Sequence, residues 1–346
     1  MSHNPKLNVY ILTLKSKKDD YETFRDLIKL KYGCSNDEDK SIFKSFFSNF
    51  LDVIGKDNFR KDNKAKKVIG ASMKEKIDKD NNVVDDDEKK YLINLHSTNQ
   101  IIEGIIDGGK YGILREYADI NNKDNKAKLG VDQAVLDKFY ILLHTPLNSK
   151  YGYLLIQSYT EETIQEPIKN LLRNLFCHEN YFGNPIIEPF VPKKFVDKFR
   201  EESKVRLFTY TKKIGLSEVM RNQKVIVRGQ AFDLRIEISP CDNEFKPESE
   251  ELHQIIKEFD EEKIRETKLK DCNKKIFIED SKKRRANFDI EKELSNIRPT
   301  IYLEDEGVKI DDSTGMPDFE KIKEYCINLL EEIKKEFNER TDIDEI

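Results

Sequence analysis

The sequence predicts an α+β fold with mixed or antiparallel sheets, flanking helices, two domains and a long C-terminal helix. Three observations support this fold class. Short runs rich in β-branched and aromatic residues come in pairs, as in hairpins. Longer runs repeat their apolar residues every three or four positions, as amphipathic helices do. Strands and helices do not alternate regularly, which argues against a doubly wound parallel sheet.

The first predicted domain covers residues 1–185 and contains two polar loops, at 56–90 and 121–130. Lys, Asp and Asn dominate both loops, which is typical of exposed connections, and the first segment could instead form a loose hairpin. We expect a strand at 9–14, helices at 20–31 and 41–55 with Gly55 as C-cap, strands at 101–107 and 111–117 around a Gly108–Gly109 turn, a hairpin from 139–145 and 153–159, and a helix at 161–177 with Thr160 as N-cap.

The second predicted domain covers residues 186–300, and residues 301–346 return to the first domain or to a partner. The expected elements are a short extended segment at 186–190, a helix at 193–202, strands at 205–211, 224–228 and 232–238, a helix at 248–268, strands at 276–279 and 301–303, and a helix from about 318 to 339. The last helix carries an apolar stripe that a coiled-coil partner could also use.

Composition bounds the class of protein. The chain has 346 residues, enough for two ordinary domains, and 37% of them are charged. Its five cysteines are dispersed, which favours reduced thiols. No apolar run approaches the roughly 20 residues that a membrane span needs. We therefore expect a cytoplasmic protein.

A basic tract at residues 191–230 is the clearest functional signal. It holds eleven Lys and Arg against four acids, whereas the whole chain carries a net charge of −5. Aromatic residues separate the charges, and such a surface suits a phosphate backbone. We predict phosphate contacts from eight side chains. They are Lys193, Lys194, Lys198, Arg200, Arg206, Lys212, Lys213 and Arg221.

Phosphate contacts fix position without reading sequence, so the predicted binding to DNA is non-specific. Six such contacts give a log–log salt slope of about −5. The alternative is that these charges form an ordinary solvated surface.

An enzymatic alternative rests on Arg173 and His178, which form an R-N-x3-H pattern near a helix end. This pattern resembles the signature of HEPN ribonucleases, in which Arg and His act on the scissile phosphate. Residues i and i+5 lie about 140° apart on a helix, so the two side chains meet only at a frayed end or across a dimer. The simpler alternative is a helix with a cationic C-terminus that interacts well with the macrodipole.

Other catalytic signatures are missing from the sequence. There is no P-loop, no dinucleotide-binding glycine motif and no HExxH or GxSxG. Asp233 and Glu237 fit two positions of a PD-(D/E)xK nuclease, but Ser239 stands where the lysine belongs. The adjacent acids 85–87 lack the convergent geometry of a metal site. We expect no metal and no cofactor, and we favour a non-enzymatic protein.

The order of elements resembles the RexA family of phage-exclusion, or abortive-infection, proteins. The resemblance rests on the N-terminal strand, the helix that contains Phe47–Leu51, the hairpin pair, the segment Ile187–Phe190 and a last helix introduced by Met316–Pro317. It implies a cytoplasmic homodimer with a second, mobile α+β domain that binds nucleic acid without sequence preference. No catalytic residue carries over from that family.

Together, the tract and the resemblance suggest an anti-phage sensor or clamp that binds DNA and passes a signal to an effector. The effector would be a protein encoded nearby, and a membrane could hold it. A third possibility is an interaction subunit that works through the C-terminal helix without binding nucleic acid.

Overall fold

A computed structural model describes residues 4–34, 37–55, 58–74, 91–215, 231–242, 244–264, 267–289 and 298–344 of the protein. It confirms the α+β class, because helices flank antiparallel sheets and a long helix lies at the C-terminal end. The described helices are α1 (Phe24–Tyr32), α2 (Asp39–Ile54), α3 (Gln165–Leu175), α4 (Lys193–Glu202), α5 (Ser249–Glu261) and α6 (Phe319–Asp344).

The backbone divides into two compact units, one formed by residues 1–190 with 301–346 and one by 191–300. Residues 186–190, which we placed at the start of the second domain, lie in the first unit because they pair with the N-terminal strand. Residues 301–346 also lie in the first unit, where Ile301 pairs with Leu7.

The first unit is built on a nine-stranded antiparallel sheet. Its strands are β1 (Lys6–Thr13), β2 (Arg60–Asp62), β3 (Lys67–Ala71), β4 (Ile93–His96), β5 (Ile101–Lys110), β8 (Val135–His144), β9 (Tyr151–Ser158), β10 (Ile186–Phe190) and β17 (Ile301–Tyr302). The central order is β10-β1-β9-β8-β5-β3-β2, with β17 paired to β1 and β4 paired to β5.

Helices cover both faces of this sheet. The phenylalanines of α2, spaced at three and four residues, pack with α1 and α3 in one continuous apolar cluster against the sheet. Local signals fix the helix ends. Thr23 and Asp26 form a capping box on α1, and Gly55 ends α2 in the left-handed conformation, as predicted. On the other face, Phe337 of α6 packs edge-on against Tyr153 of β9.

The predicted turn at Gly108–Gly109 is wrong. Both glycines lie inside β5, which pairs with β8 and β3 along its edges. A Cβ on Gly109 would lie 1.7 Å from the carbonyl oxygen of Val135. The glycine therefore allows the backbones of β5 and β8 to approach closely. A glycine required for this reason cannot be distinguished, from the sequence pattern, from a glycine required by a turn.

Both predicted polar loops contain strands. In the segment 56–90, the alternative of a hairpin is confirmed, because β2 and β3 pair there, although Val68 and Ile69 are buried. The segment 121–130 contributes β7 (Asn122–Leu129), which pairs with β6 (Arg115–Asp119) in a separate two-stranded ribbon. Polar composition suggested loops here, yet exposed ribbons and edge strands are polar as well. Residues 75–90 lie outside the described part of the chain.

The helix predicted at 161–177 is shorter than expected. It begins at Gln165, and Ile164 occupies the N-cap position without a side-chain hydrogen bond. Thr160 is therefore not the N-cap. At its other end, the Nζ of Lys31 donates to the carbonyl oxygens of Leu175 and Cys177 at 3.1 and 2.7 Å, which satisfies free helical acceptors.

Among the described residues, the second unit contains a four-stranded antiparallel sheet. Its strands are β11 (Lys204–Gly215), β12 (Ala231–Ile238), β15 (Asn273–Glu279) and β16 (Arg285–Asp289), and a small ribbon joins β13 (Lys263–Ile264) to β14 (Thr267–Lys268). The order in the sheet is β12-β11-β15-β16, with α4 and α5 on one face. The buried cluster between them includes Val196 of α4, Phe208 and Tyr210 of the sheet, and Leu252 and Ile256 of α5.

Candidate functional site

Helix α4 carries the most exposed part of the basic tract. Phe195 and Val196 are buried against the sheet of the second unit. Since this pair fixes the rotation of the helix, Lys193, Lys194 and Lys198 are exposed. The sequence therefore predicted these three side chains on a protein surface, and the structure places them there.

Two of these lysines, Lys193 and Lys194, lie in the first turn of α4, where positive charge is least favoured, and Lys198 lies one turn further along. The first turn contains no acid, and the N-cap residue Pro192 makes no side-chain cap. The helix dipole places partial positive charge at this end, and each cation there costs about 0.3–1 kcal/mol. An anion bound at this end would offset both the dipole and the lysines, as phosphates do at helix N-termini.

Arg206 has a partner inside the second unit. Its Nε and Nη2 donate to Oε1 of Glu279 at 3.0 and 2.7 Å, and Glu279 is buried. The buried carboxylate needs this guanidinium, because an unpaired buried charge is costly. We therefore assign Arg206 a structural role in its own unit, and its predicted phosphate contact stays a prediction from the sequence. The two residues are 73 positions apart, so no local pattern could reveal the pairing.

Lys212 and Lys213 do not share a surface. Successive side chains of β11 point to opposite faces of the sheet. Lys212 lies opposite Leu234 on the face that the helices cover, and it is half-buried. Lys213 lies opposite Asp233 on the other face and is exposed. A single flat ligand therefore cannot contact both side chains.

Two members of the predicted set fall outside what the structure describes. Arg221 and the predicted strand at 224–228 lie among residues 216–230, and the side chain of Arg200 is likewise not described. These three assignments stay predictions from the sequence.

The described face of the sheet opposite α4 and α5 has mixed charge. Asp233, Arg235 and Glu237 are exposed on β12, and Arg235 pairs with Glu237 at 2.8 Å. Lys213 and Lys275 add positive charge to the same face. The face is polar and nearly balanced, so α4 is the better candidate for polyanion contact.

The β15–β16 turn forms another exposed cationic site in this unit. Buried Asp280 accepts hydrogen bonds from the backbone N–H groups of Lys282 and Arg284 at 2.9 and 2.8 Å. This network shapes the turn and leaves the side chains of Lys282 and Lys283 exposed. The run of four cations at 282–285 was the sequence signal for it.

The two units differ in net charge. Residues 191–300 contain 26 Lys and Arg against 22 Asp and Glu, a balance of +4. The remainder of the chain contains 35 against 44, a balance of −9. A polyanion is therefore attracted to the second unit and repelled by the first.

Arg173 and His178 belong to separate local networks. Arg173 Nη1 donates to Oδ1 of Asn170 within α3 at 2.7 Å. His178 follows the helix, where its ring packs against Tyr181 with centroids 5.1 Å apart. The surrounding fold is an antiparallel sheet with flanking helices, whereas HEPN domains are helical bundles. Nothing in these contacts converges on one phosphate position.

The apolar stripe of α6 is buried in its own unit. Ile322, Cys326, Leu329, Leu330 and Ile333 are each at most 1% exposed. The helix therefore packs back on the first unit, which was one of the two expected outcomes, and its stripe is not available as a coiled-coil seam. A helix packed on the sheet of its own unit shows the same spacing of apolar residues as a helix of a coiled coil.

Sequence reasoning missed a buried carboxylate in β5. Glu103 is 1% exposed, and its Oε1 lies 2.9 Å from Asn94 Nδ2, 3.1 Å from His96 Nε2 and 3.2 Å from Lys323 Nζ. The cluster links β4 and β5 to α6, which lies more than two hundred positions later in the sequence. A lone acid inside the apolar run IIEGII was the available signal, because such an acid must be paired when the strand is buried.

Comparisons with known proteins add no relative. Neither protein-family models, nor curated proteins, nor solved structures gave a significant match to this chain. The resemblance to the RexA family therefore stays a prediction.

The described residues contain no cluster of three or more His, Cys, Asp and Glu side chains that could hold a metal ion. Among the same residues, no helix combines the length and apolar character required to cross a membrane.

Proposed function

We propose that the protein binds DNA without sequence preference through its second unit, with phosphate contacts from Lys193, Lys194 and Lys198 of α4. The observation that carries the proposal is the group of three exposed lysines on α4, two of them in the first turn at the positive end of a helix that has no acid in that turn. A phosphate group is the ligand that relieves this arrangement.

The electrostatic balance of the chain favours the same surface. The second unit has an excess of positive charge while the rest of the chain is acidic. Such an asymmetry orients an approaching polyanion before contact is made. The exposed Lys282 and Lys283 provide a second place in the unit where phosphate can bind.

The cellular role in the proposal is phage exclusion in the cytoplasm, in which a homodimer senses or clamps DNA for an effector encoded nearby. The basis for this role is the RexA-like order of elements in the sequence. Lysine contacts to phosphate recognise any duplex, which suits a sensor that must bind foreign DNA of unknown sequence.

The test replaces Lys193, Lys194 and Lys198 together with Gln in the full chain. Binding to two unrelated duplexes is followed by fluorescence anisotropy over a range of salt concentrations. The wild type should bind both duplexes equally, and the triple variant should bind more weakly. Because each phosphate contact contributes about 0.9 to the log–log salt slope, the slope should become shallower by about 3.

A matched triple variant controls for net charge. Lys263, Lys268 and Lys270 are exposed in the same unit, outside α4. Their replacement by Gln removes the same charge and should leave most of the affinity intact. Equal weakening by the two triple variants would show that overall charge, and not α4, governs binding.

A further inference from the structure

A polar cleft lies in the first unit between the β2–β3 hairpin and α3. It encloses about 220 Å³, and its lining combines two cations, a carboxylate, two amides and two apolar side chains. The lining residues are Arg60, Lys61, Asp62, Asn63, Ile69, Pro167 and Asn170.

The cations of the cleft come from an unusually basic hairpin. Residues 60–67 hold five Lys and Arg and one acid, within a unit whose net charge is −9. Arg60 is held in place by a hydrogen bond from Nη1 to the carbonyl oxygen of Val53 at 3.3 Å. The ammonium of Lys61 lies 4.0 Å from the exposed Asp132, a separation at which surface pairs contribute little.

The one carboxylate of the cleft is already bound by protein donors. Asp62 Oδ1 accepts from the backbone N–H groups of Lys64 and Ala65 at 3.0 and 2.9 Å, and Oδ2 accepts from Asn170 Nδ2 at 2.8 Å. The hydrogen bond from Ala65, followed by that from Asn170, lowers the pKa of Asp62. This carboxylate organises the hairpin turn and holds Asn170, which leaves the two cations to set the preference for a ligand.

The amide groups are oriented by their neighbours. Asn63 Oδ1 accepts from the hydroxyl of Tyr111 at 2.7 Å, and Asn170 Oδ1 accepts from Arg173 Nη1 at 2.7 Å. With its oxygen occupied, the amide of Asn63 retains N–H groups as donors. The cleft therefore offers guanidinium, ammonium and amide donors, the groups that bind phosphate oxygens.

We propose that this cleft binds the phosphate monoester group of a small ligand. Ile69 and Pro167 provide an apolar wall for the organic part of that ligand. The volume equals that of about seven water molecules and is below the roughly 300 Å³ at which drug-sized sites begin. The site thus suits the phosphate and the adjoining part of a ligand, whether that ligand is a free mononucleotide or the phosphorylated end of a strand, and it lies outside the unit that we assign to DNA binding.

The test is isothermal titration calorimetry of the full chain with four probes. They are a nucleoside monophosphate, the matching nucleoside, and a short oligonucleotide with and without a 5′-phosphate. The nucleoside monophosphate should bind saturably and the nucleoside should not, and the 5′-phosphate should tighten binding of the oligonucleotide beyond what α4 contributes to both oligonucleotides. Tighter binding of the mononucleotide indicates a free metabolite as the source, and tighter binding of the phosphorylated oligonucleotide indicates a strand end.

Arg60→Gln should weaken binding about tenfold or more, because it removes a charge-assisted contact. Circular dichroism shows whether Arg60→Gln perturbs the hairpin. If it does, the affinity of the Lys61→Gln variant tests the proposal independently. Lys64→Gln is the matched control, since it removes a charge from the same hairpin outside the cleft and should change affinity less than about twofold.

Absence of saturable binding by both phosphorylated probes overturns the proposal. Equal binding of the nucleoside overturns it as well, and so does a loss in Lys64→Gln as large as that in Arg60→Gln. DNA binding through α4 is measured separately, so it can fail or succeed independently of this site.

Discussion

The two units of this protein use antiparallel sheets in opposite ways. The first sheet has helices on both faces, and Glu103, an acid in the middle of β5, is buried and paired. The second sheet has helices on one face, and its other described face exposes charged side chains of β12. The first arrangement maximises burial, whereas the second leaves polar surface available to a ligand.

The difference indicates which charged side chains are available to a ligand. In the first unit, close packing holds the buried Glu103 in a structural cluster. In the second unit, Lys193, Lys194 and Lys198 of α4 are exposed, so burial of the core does not require their charges. The exception is the cleft of the β2–β3 hairpin, which lies at the edge of the first sheet.

The two units can be followed separately because each contains a buried thiol. Cys326 lies in the first unit and Cys272 in the second, and burial raises the pKa of both. Pulsed labelling of these cysteines in increasing urea therefore gives the stability of each unit. A substitution that acts on one unit alone should shift the labelling of only one thiol.

The largest loss of stability is expected from a substitution at Gly109. A methyl group there would lie 1.7 Å from the carbonyl oxygen of Val135, so β5 and β8 would have to separate. We expect Gly109→Ala to destabilise the first unit by at least about 3 kcal/mol. Labelling of Cys326 should shift to much lower urea, while labelling of Cys272 should not. The control is Gly130→Ala, where the nearest atom is 3.6 Å away and no shift is expected.

A smaller effect comes from His144, a buried residue of β8. Its ring stacks on Tyr153, and burial, followed by the charge of Lys334, lowers its pKa to about 4. The unfolded pKa is about 6.5, so the unfolded chain binds more protons between these values. Stability of the first unit should therefore fall as the pH is lowered through this window, by about 2 kcal/mol between pH 7 and pH 5.

His144→Gln should make the first unit less sensitive to pH between about 7 and 5 than the wild type. His253→Gln changes an exposed histidine of α5 and serves as the matched control. An unchanged pH dependence of Cys326 labelling in His144→Gln would contradict the assignment of this buried histidine.

The smallest effect is expected on the uncovered face of the second sheet. The pair between Arg235 and Glu237 is about half exposed on both sides, and such pairs contribute little. Arg235→Gln should shift the stability of the second unit by less than about 0.5 kcal/mol. A much larger loss of stability, reported by labelling of Cys272, would show that this face is covered and would weaken the contrast between the units.

Strong periodicity allowed the sequence to predict α2, α4 and α6, because an apolar stripe at helical spacing is typical of a helix with one buried face. The hairpin of β8 and β9 was predicted for a similar reason. The glycines of β5 misled, since a turn and a close backbone approach demand the same residue. The polar segment at 121–130 was predicted as a loop although it contains β7, because exposed ribbons need no apolar run.

The candidate site was predictable only in part. Exposure of Lys193, Lys194 and Lys198 follows from the helical period around Phe195 and Val196. The commitment of Arg206 to Glu279 and the burial of Glu103 depend on pairings distant in sequence. Such pairings are fixed by tertiary packing, which one sequence does not display.

The salt dependence of DNA binding by the wild-type chain tests the central claim most directly. If the three lysines of α4 contact phosphates, the log–log slope should be about −3 or steeper. Additional contacts from the rest of the basic tract would steepen it further. A slope near zero, or affinity that differs strongly between unrelated duplexes, would contradict non-specific phosphate binding by the second unit.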